Sequence, residues 1–382
     1  MKIKLQTILA ALLIAIPFRA VLATSSIVPT QTKSFEVSPG GTLEVSIAEG
    51  DIVIGSWDKN EVLIKAEGID PEDVKDLRMD QVGNGVRIDF HPEWGASRRV
   101  RFMISVPSTF NSDLHTAGGD ITLQGAFKGT LEGSTSGGDI KLGDVDGKCD
   151  MSTSGGDINA GKIGGSVSLQ TSGGDISIQT STGEVEVSTS GGDIRVGNVG
   201  KSLTAKTAGG DIAIGDVGGE AIISTAGGDI EVGQVSGSAT LKTAGGDITL
   251  RGAKGIVKAK TAGGDISLED VSGSVQASTA GGDITAELLP SGTGRSTLSS
   301  SGGDLTLYLP ANSKANIEAI IDLRGRWKDE SEEYEILSDF KAATYEKDED
   351  TKEIRATYVL NGGGESITLE TVNGNIEIRE LR

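Results

Sequence analysis

The sequence predicts an all-β chain, a parallel β-helix or β-solenoid with about 18 residues per turn and degenerate capping turns at both ends. Three observations predict it. Gly-Gly-Asp followed by Ile or Leu occurs eleven times between residues 116 and 305. The aspartates are Asp120, Asp139, Asp157, Asp175, Asp193, Asp211, Asp229, Asp247, Asp265, Asp283 and Asp304, in steps of 19, then eight of 18, then 21. Within each unit apolar residues alternate with polar ones, and no unit holds ten residues of helical periodicity.

Counting each unit from its Asp as position 1, positions 2 and 4 are apolar, as in Ile212 with Ile214 and Ile248 with Leu250. Position 7 is usually a small aliphatic, as in Val217, Val235, Ala253 and Val271. Positions 11 and 13 are mostly apolar, as in Val167 with Leu169 and Val185 with Val187. Position 15 is Thr in ten of the eleven units, from Thr116 to Thr279, and Ser300 in the last. A period of two at 2/4 and again at 11/13/15 reads as two short half-buried strands per turn. The Gly-Gly corner joins them, as in Gly210-Asp211, Gly228-Asp229 and Gly246-Asp247. Glycine reaches positive φ without strain, so such a pair suits a tight corner. One turn cannot bury enough apolar surface to persist alone, so the units must fold as an array.

Degenerate turns flank the array. Leu43, Val45 and Ile47 followed by Gly50-Asp51-Ile52 and Ile54 match positions 11 to 4 of the unit. Ile367, Leu369 and Thr371 followed by Gly374-Asn375-Ile376 and Ile378 do the same. The chain therefore divides into a signal peptide (1–23), a linker (24–34), N-terminal capping turns (35–115), the regular array (116–305) and C-terminal capping turns (306–382). The caps would cover the open strand edges of a bare solenoid end.

The opening Met-Lys-Ile-Lys, the apolar run Leu5 to Ile16 and Val21-Leu22-Ala23 read as an export signal cleaved after Ala23. The run is too short to span a bilayer comfortably, and no second one follows, so the mature chain is expected to be exported without an integral membrane span. Periplasm, cell surface and medium all remain open as destinations. Cys149 is the sole cysteine, so no intrachain disulfide forms, and its inward position 11 reads as a small buried hydrophobe.

A net charge of −20 argues against nucleic acid and anionic lipid as partners. Within 116–305 there are 13 basic and 23 acidic residues; without the eleven repeat aspartates the count is 13 against 12. The acidity of the array is thus its Asp ladder. Carboxylates stacked about 4.8 Å apart repel by roughly 0.9 kcal/mol per pair even in water, so something must offset the row. Backbone N–H groups at the corner can do so. A row of cations, with calcium the natural choice, would do so through Asp139, Asp157, Asp175, Asp193, Asp211, Asp229, Asp247, Asp265 and Asp283. The sequence favours the backbone cap: Asn375 takes the last ladder position without a charge, and the calcium-binding pattern Gly-Gly-x-Gly-x-Asp is absent. The Thr row reads as a stacked structural ladder.

No catalytic constellation stands out. His91 and His115 are the only histidines, both outside the regular units, and no cofactor motif is present. The array holds neither Trp nor Tyr, so aromatic contacts with a sugar would have to use the ends, where Trp57, Trp94, Trp327, Tyr308, Tyr334 and Tyr345 lie. Trp94 and Trp327 are the candidate end-contact residues. Lys206, Lys242 and Lys260 at position 14, with Lys258 at position 12, form a basic stripe that reads as a solvated face.

Several segments together resemble the bacterial putative-adhesin family of exported β-solenoids, the toastrack domains. They are Phe35-Glu36-Val37 with Pro39-Gly40-Gly41, Ile104-Ser105-Val106-Pro107 before the first repeat, and the recurring Ser/Thr-x-Gly-Gly-Asp-Ile. Leu305-Thr306-Leu307-Tyr308-Leu309-Pro310 and Thr371-Val372-Asn373-Gly374-Asn375-Ile376 complete the order. The resemblance implies a right-handed solenoid at the cell envelope and no catalytic residues. The expected function is non-catalytic: an adhesin-like surface or scaffold module that binds a protein or glycan at the envelope through its repeated face. An envelope-stress or signalling accessory, recognising a membrane partner through a capped end, is the alternative; a polysaccharide-active enzyme is the third reading.

Overall fold

Positions 2 to 7 and 11 to 14 of each unit form two strands, as Ile158–Ile163 and Val167–Gln170 do in the Asp157 unit. The computed structural model describes residues 30–93, 100–290, 294–323, 334–348, 350 and 352–381. Equivalent strands pair in parallel with partners one unit apart: Ile158 faces Ile176, and Val167 faces Val185. Both offsets are 18 residues, so the same residue type recurs along each row. The result is two long sheets, one of the longer strands and one of the shorter, closed by the corners.

The alternation decides which side chains lie between the sheets. In the Asp211 unit Ile212, Ile214, Val217, Ala221, Ile223 and Thr225 are buried, while Ala213, Asp216 and Ile222 are exposed. The array core is aliphatic apart from Phe127, Met151 and Cys149, and the larger rings gather at the N-terminal end. There Phe90 and Phe102 stack with centroids 6.0 Å apart and a 56° tilt. The 19-residue first step is absorbed by a register shift between Leu142 and Asp144, opposite Gly125 at φ 93°.

The ends of the stack do not follow chain order. Thr42–Ile47 pairs with Gly85–Phe90 on one side and Asn111–Thr116 on the other. Asp51–Trp57 likewise lies between Arg101–Pro107 and Ile121–Lys128. At the far end Glu365–Val372 is inserted between Arg295–Ser300 and Ala315–Asp322. Ile376–Glu380 lies between Leu305–Leu309 and Ile336–Ser338. The degenerate turns thus sit directly on the array, and other segments close over them.

Those outer segments pair antiparallel: Thr30–Glu36 with Glu61–Glu67, Leu77–Val82 with Gly85–Phe90, and Thr344–Asp348 with Glu353–Leu360. Short, charged antiparallel strands are poor templates for another chain, which protects the edges. Residues 30–34, assigned to a linker from sequence, begin the first of these strands.

Candidate functional site

The most repeated chemical feature is the corner Thr-x-Gly-Gly-Asp. Thr153 donates its hydroxyl to the Gly138 carbonyl of the preceding turn at 2.8 Å and accepts the N–H of Gly156 in its own turn at 3.4 Å. The pattern runs from Thr116, bonded to Gly50, to Thr371, bonded to Gly303 at 2.6 Å. These hydroxyls are buried, so each needs such a partner.

The aspartates form a second row. Asp157 accepts the backbone N–H of Asp175 at 2.8 Å, Asp175 that of Asp193 at 2.8 Å, and Asp247 that of Asp265 at 2.8 Å. The row begins at Asp51, which caps Asp120, and ends at Asn375, which donates its backbone N–H to the Asp304 carboxylate and accepts the N–H of Glu335. Each carboxylate therefore caps the following turn, not its own corner. Arg195 and Lys141 add local neutralisation, at 2.7 Å from Asp193 and 3.1 Å from Asp139. The N–H of Asp157, and then Lys141, hold the Asp139 carboxyl below its ordinary range.

The glycine expectation needs correction. None of the corner pairs in the array has positive φ; the positive values fall at glycines elsewhere, such as Gly125 and Gly129. The requirement is close approach. A Cβ on Gly138 would overlap the Gly119 carbonyl oxygen, and one on Gly156 would overlap that of Gly138. The first glycine of each pair has more room: a Cβ on Gly137 would meet its nearest atom at 3.7 Å. Turns stacked at strand spacing leave no space for a side chain at the second position.

Position 6 holds further caps of the same kind. Asp144 caps the N–H of Lys162 at 2.9 Å, Asn198 that of Asp216 at 3.0 Å, and Asp216 that of Gln234 at 2.9 Å. These three do what the corner aspartate does, and residue type at equal spacing was the available signal; Asp270, at the same position but with φ 48°, stands outside the pattern.

Among the described residues no group of three His, Cys, Asp or Glu side chains is arranged to hold a metal ion. His91 meets Ser46 at 3.1 Å. His115 meets Asp113 and Ser134, each at 2.8 Å, which brings the residue types of a hydrolytic triad together. The trio stands on the outer face of the short-strand sheet with the Asp113 side chain 47% exposed, whereas a triad works by burying the Asp behind the imidazole. Cys149 is buried, and burial, then Asp150, pushes its thiol up to about 12. Trp94 and Trp327 lie outside the described residues. Of the other end aromatics, Trp57 is half-buried with its Nε1 donating to the Glu61 carbonyl, Tyr334 packs on the core, and Tyr345 is 52% exposed.

The family model Toastrack DUF4097 matches residues 161–268 and 197–379. The chain belongs to this family. The Toastrack chain is also similar to solved structures, at scores that carry no functional weight. A putative adhesin of Bacteroides fragilis is 11% identical, covering 92% of this chain and 97% of its own, with a TM-score of 0.26. A putative adhesin of Parabacteroides distasonis is 10% identical, with the same coverages and a TM-score of 0.28. A putative cell adhesion protein of Clostridium sporogenes is 9% identical, covering 93% of this chain and 100% of its own, with a TM-score of 0.18. No curated protein matches. Among the described residues of the Toastrack chain no helix is long and apolar enough to cross a membrane.

Proposed function

We propose that this Toastrack chain is a non-catalytic, exported surface or scaffold module that binds a protein or glycan at the cell envelope through its repeated outer faces. One observation carries the reading: successive turns stack in register, so outward side chains form straight, closely spaced rows. Such rows suit a long partner that gains avidity from many weak contacts. A catalytic centre would break the repeat at one place, and the array presents the same corner turn after turn. The basic start and apolar run at the N-terminus support export.

The test removes residues 193–228, two whole units, so that Gly192 meets Asp229 in register. Retention of the mature protein on envelope fractions is then compared with the full array, with circular dichroism as the control for folding. The proposal expects a shorter, folded rod with weaker retention. Retention equal to that of the full array would remove the repeated face from the function.

A further inference from the structure

The outer face of the short-strand sheet is electrically divided. Its strands stack in strict register, Glu132 beside Asp150 and Lys242 beside Lys260, so outward side chains form two straight rows. Across the four strands from Leu131–Ser134 to Val185–Ser188, the outward charges are Glu132, Asp150 and Glu186, without a base. Across the next four, from Leu203–Lys206 to Val257–Lys260, they are Lys206, Lys242, Lys258 and Lys260, without an acid.

These charges are largely unspent within the chain. Among the described residues the four lysines make no ion pair, and Glu186 makes none. Glu132 and Asp150 share the single Lys148, at 3.2 and 3.5 Å. Each half also carries a shallow cleft. The one in the basic half, of about 400 Å³, is lined by Lys242, Lys258 and Lys260; the one in the acidic half, of about 270 Å³, by Glu184, Glu186 and Lys148.

We propose that this face docks on the same face of a second copy of the chain, in antiparallel orientation. A two-fold axis in the contact plane, running along the strands between Val185–Ser188 and Leu203–Lys206, reverses the stacking order and keeps each position along the strand. It sets Leu203–Lys206 against the partner copy's Val185–Ser188, Ala239–Lys242 against Cys149–Ser152, and Val257–Lys260 against Leu131–Ser134. Lys258 then faces Glu132 directly. Lys206 and Lys242 stand two residues, about 7 Å, along the strand from Glu186 and Asp150, within reach of a lysine's flexible stem. Symmetry forms every pair twice. Ile222, 40% exposed in the basic half, lands on the small and neutral strand Val167–Gln170.

The parallel arrangement would set lysine against lysine and acid against acid, so the charges select one orientation. An anionic polymer is the competing occupant of the lysine stripe. It has no use for the acidic block of equal length on the same face, which would repel it. Eight strands about 4.8 Å apart and four residues wide cover roughly 500 Å² per copy, about 1,000 Å² in all. That is the size of a weak, reversible interface. At physiological salt, charges interact over about 8 Å, so this local pattern outweighs the net charge of the chain. Pairing would leave the long-strand sheets facing outward on both sides, available to the partner proposed above; the inference does not depend on that partner.

Sedimentation velocity of the full mature chain tests it, with Lys206→Glu/Lys258→Glu as one variant and Glu132→Lys/Glu186→Lys as its complement. All four positions lie on the solvated face, and melting curves check that both variants fold. The expected result is a salt-sensitive dimer for the parent chain, at least tenfold weaker self-association for each variant, and a heterodimer when the two are mixed. A parent chain that stays monomeric at about 100 μM overturns the proposal, as do variants that dimerise like the parent. Polygalacturonate is the control polyanion: a monomer that binds it through these lysines would assign the stripe to an anionic polymer instead.

Discussion

The carboxylate of Asp211 accepts the backbone N–H of Asp229 across one turn of the stack, at 2.9 Å. That bond ties two residues 18 apart in sequence through one carboxylate oxygen. A row of like charges is thus tolerated because each member caps a backbone donor of the next. Replacing Asp211 by Ala removes the acceptor and is expected to lower unfolding stability by about 1 kcal/mol. Asn keeps the acceptor and sheds the charge, as Asn375 does naturally, and should stay within about 0.5 kcal/mol of the parent. Urea denaturation curves of the two variants distinguish a cap from a charge requirement.

The two glycines of one corner should respond unequally. Gly138→Ala forces a Cβ into the Gly119 carbonyl oxygen, whereas at Gly137 the nearest atom is 3.7 Å away. Backbone cannot yield as a side chain can, so Gly138→Ala is expected to cost at least about 3 kcal/mol and Gly137→Ala under about 1. Equal melting temperatures for the two variants would contradict the steric reading.

Acid should weaken the array. The Asp139 carboxyl sits below its ordinary value because of the Asp157 N–H and then Lys141. Its stabilising contribution is complete above the unfolded pKa, near 4, and is lost as pH falls through the lower folded value. Melting temperature measured from pH 6 down to pH 2 should drop on the acid side, and Asp139→Asn should flatten part of that limb.

Cys149 should behave as an inert core residue. With its thiol pushed up to about 12 by burial, it should react with a thiol reagent at pH 8 only after denaturant is added. Fast labelling of the native protein would contradict the packed core at this turn.

Ser112 sits in a row of leucines, facing Leu43 and Leu131, and its hydroxyl has no partner among the described residues. Removing an unpaired buried hydroxyl avoids its desolvation cost, so Ser112→Ala should raise stability by up to about 1 kcal/mol. A thermal melt reads the sign directly.

Much of the array was legible in one dimension. Alternation at 2/4 and 11/13/15 placed Ile212, Ile214, Ala221 and Ile223 inward because side-chain direction in a strand depends only on parity. The recurrence of Asp at a constant step placed Asp211 beside Asp229, since equal circuits bring equal positions together. The role of the second glycine was misread: its crowding comes from the neighbouring turn, and local backbone preference is silent about that. The candidate end contacts Trp94 and Trp327 lie outside the described residues.

The sequence by itself determined the period, the two strands per turn and the residues that line the core, because these follow from short-range alternation repeated at a constant interval. Only the tertiary structure decided that residues 42–57 insert between two later segments at one end and residues 365–380 between two earlier ones at the other. Their apolar patterns fit any open strand edge. Which edge they take is settled by pairing across some 70 residues, where Asp51 meets Asp120 and Asp304 meets Asn375.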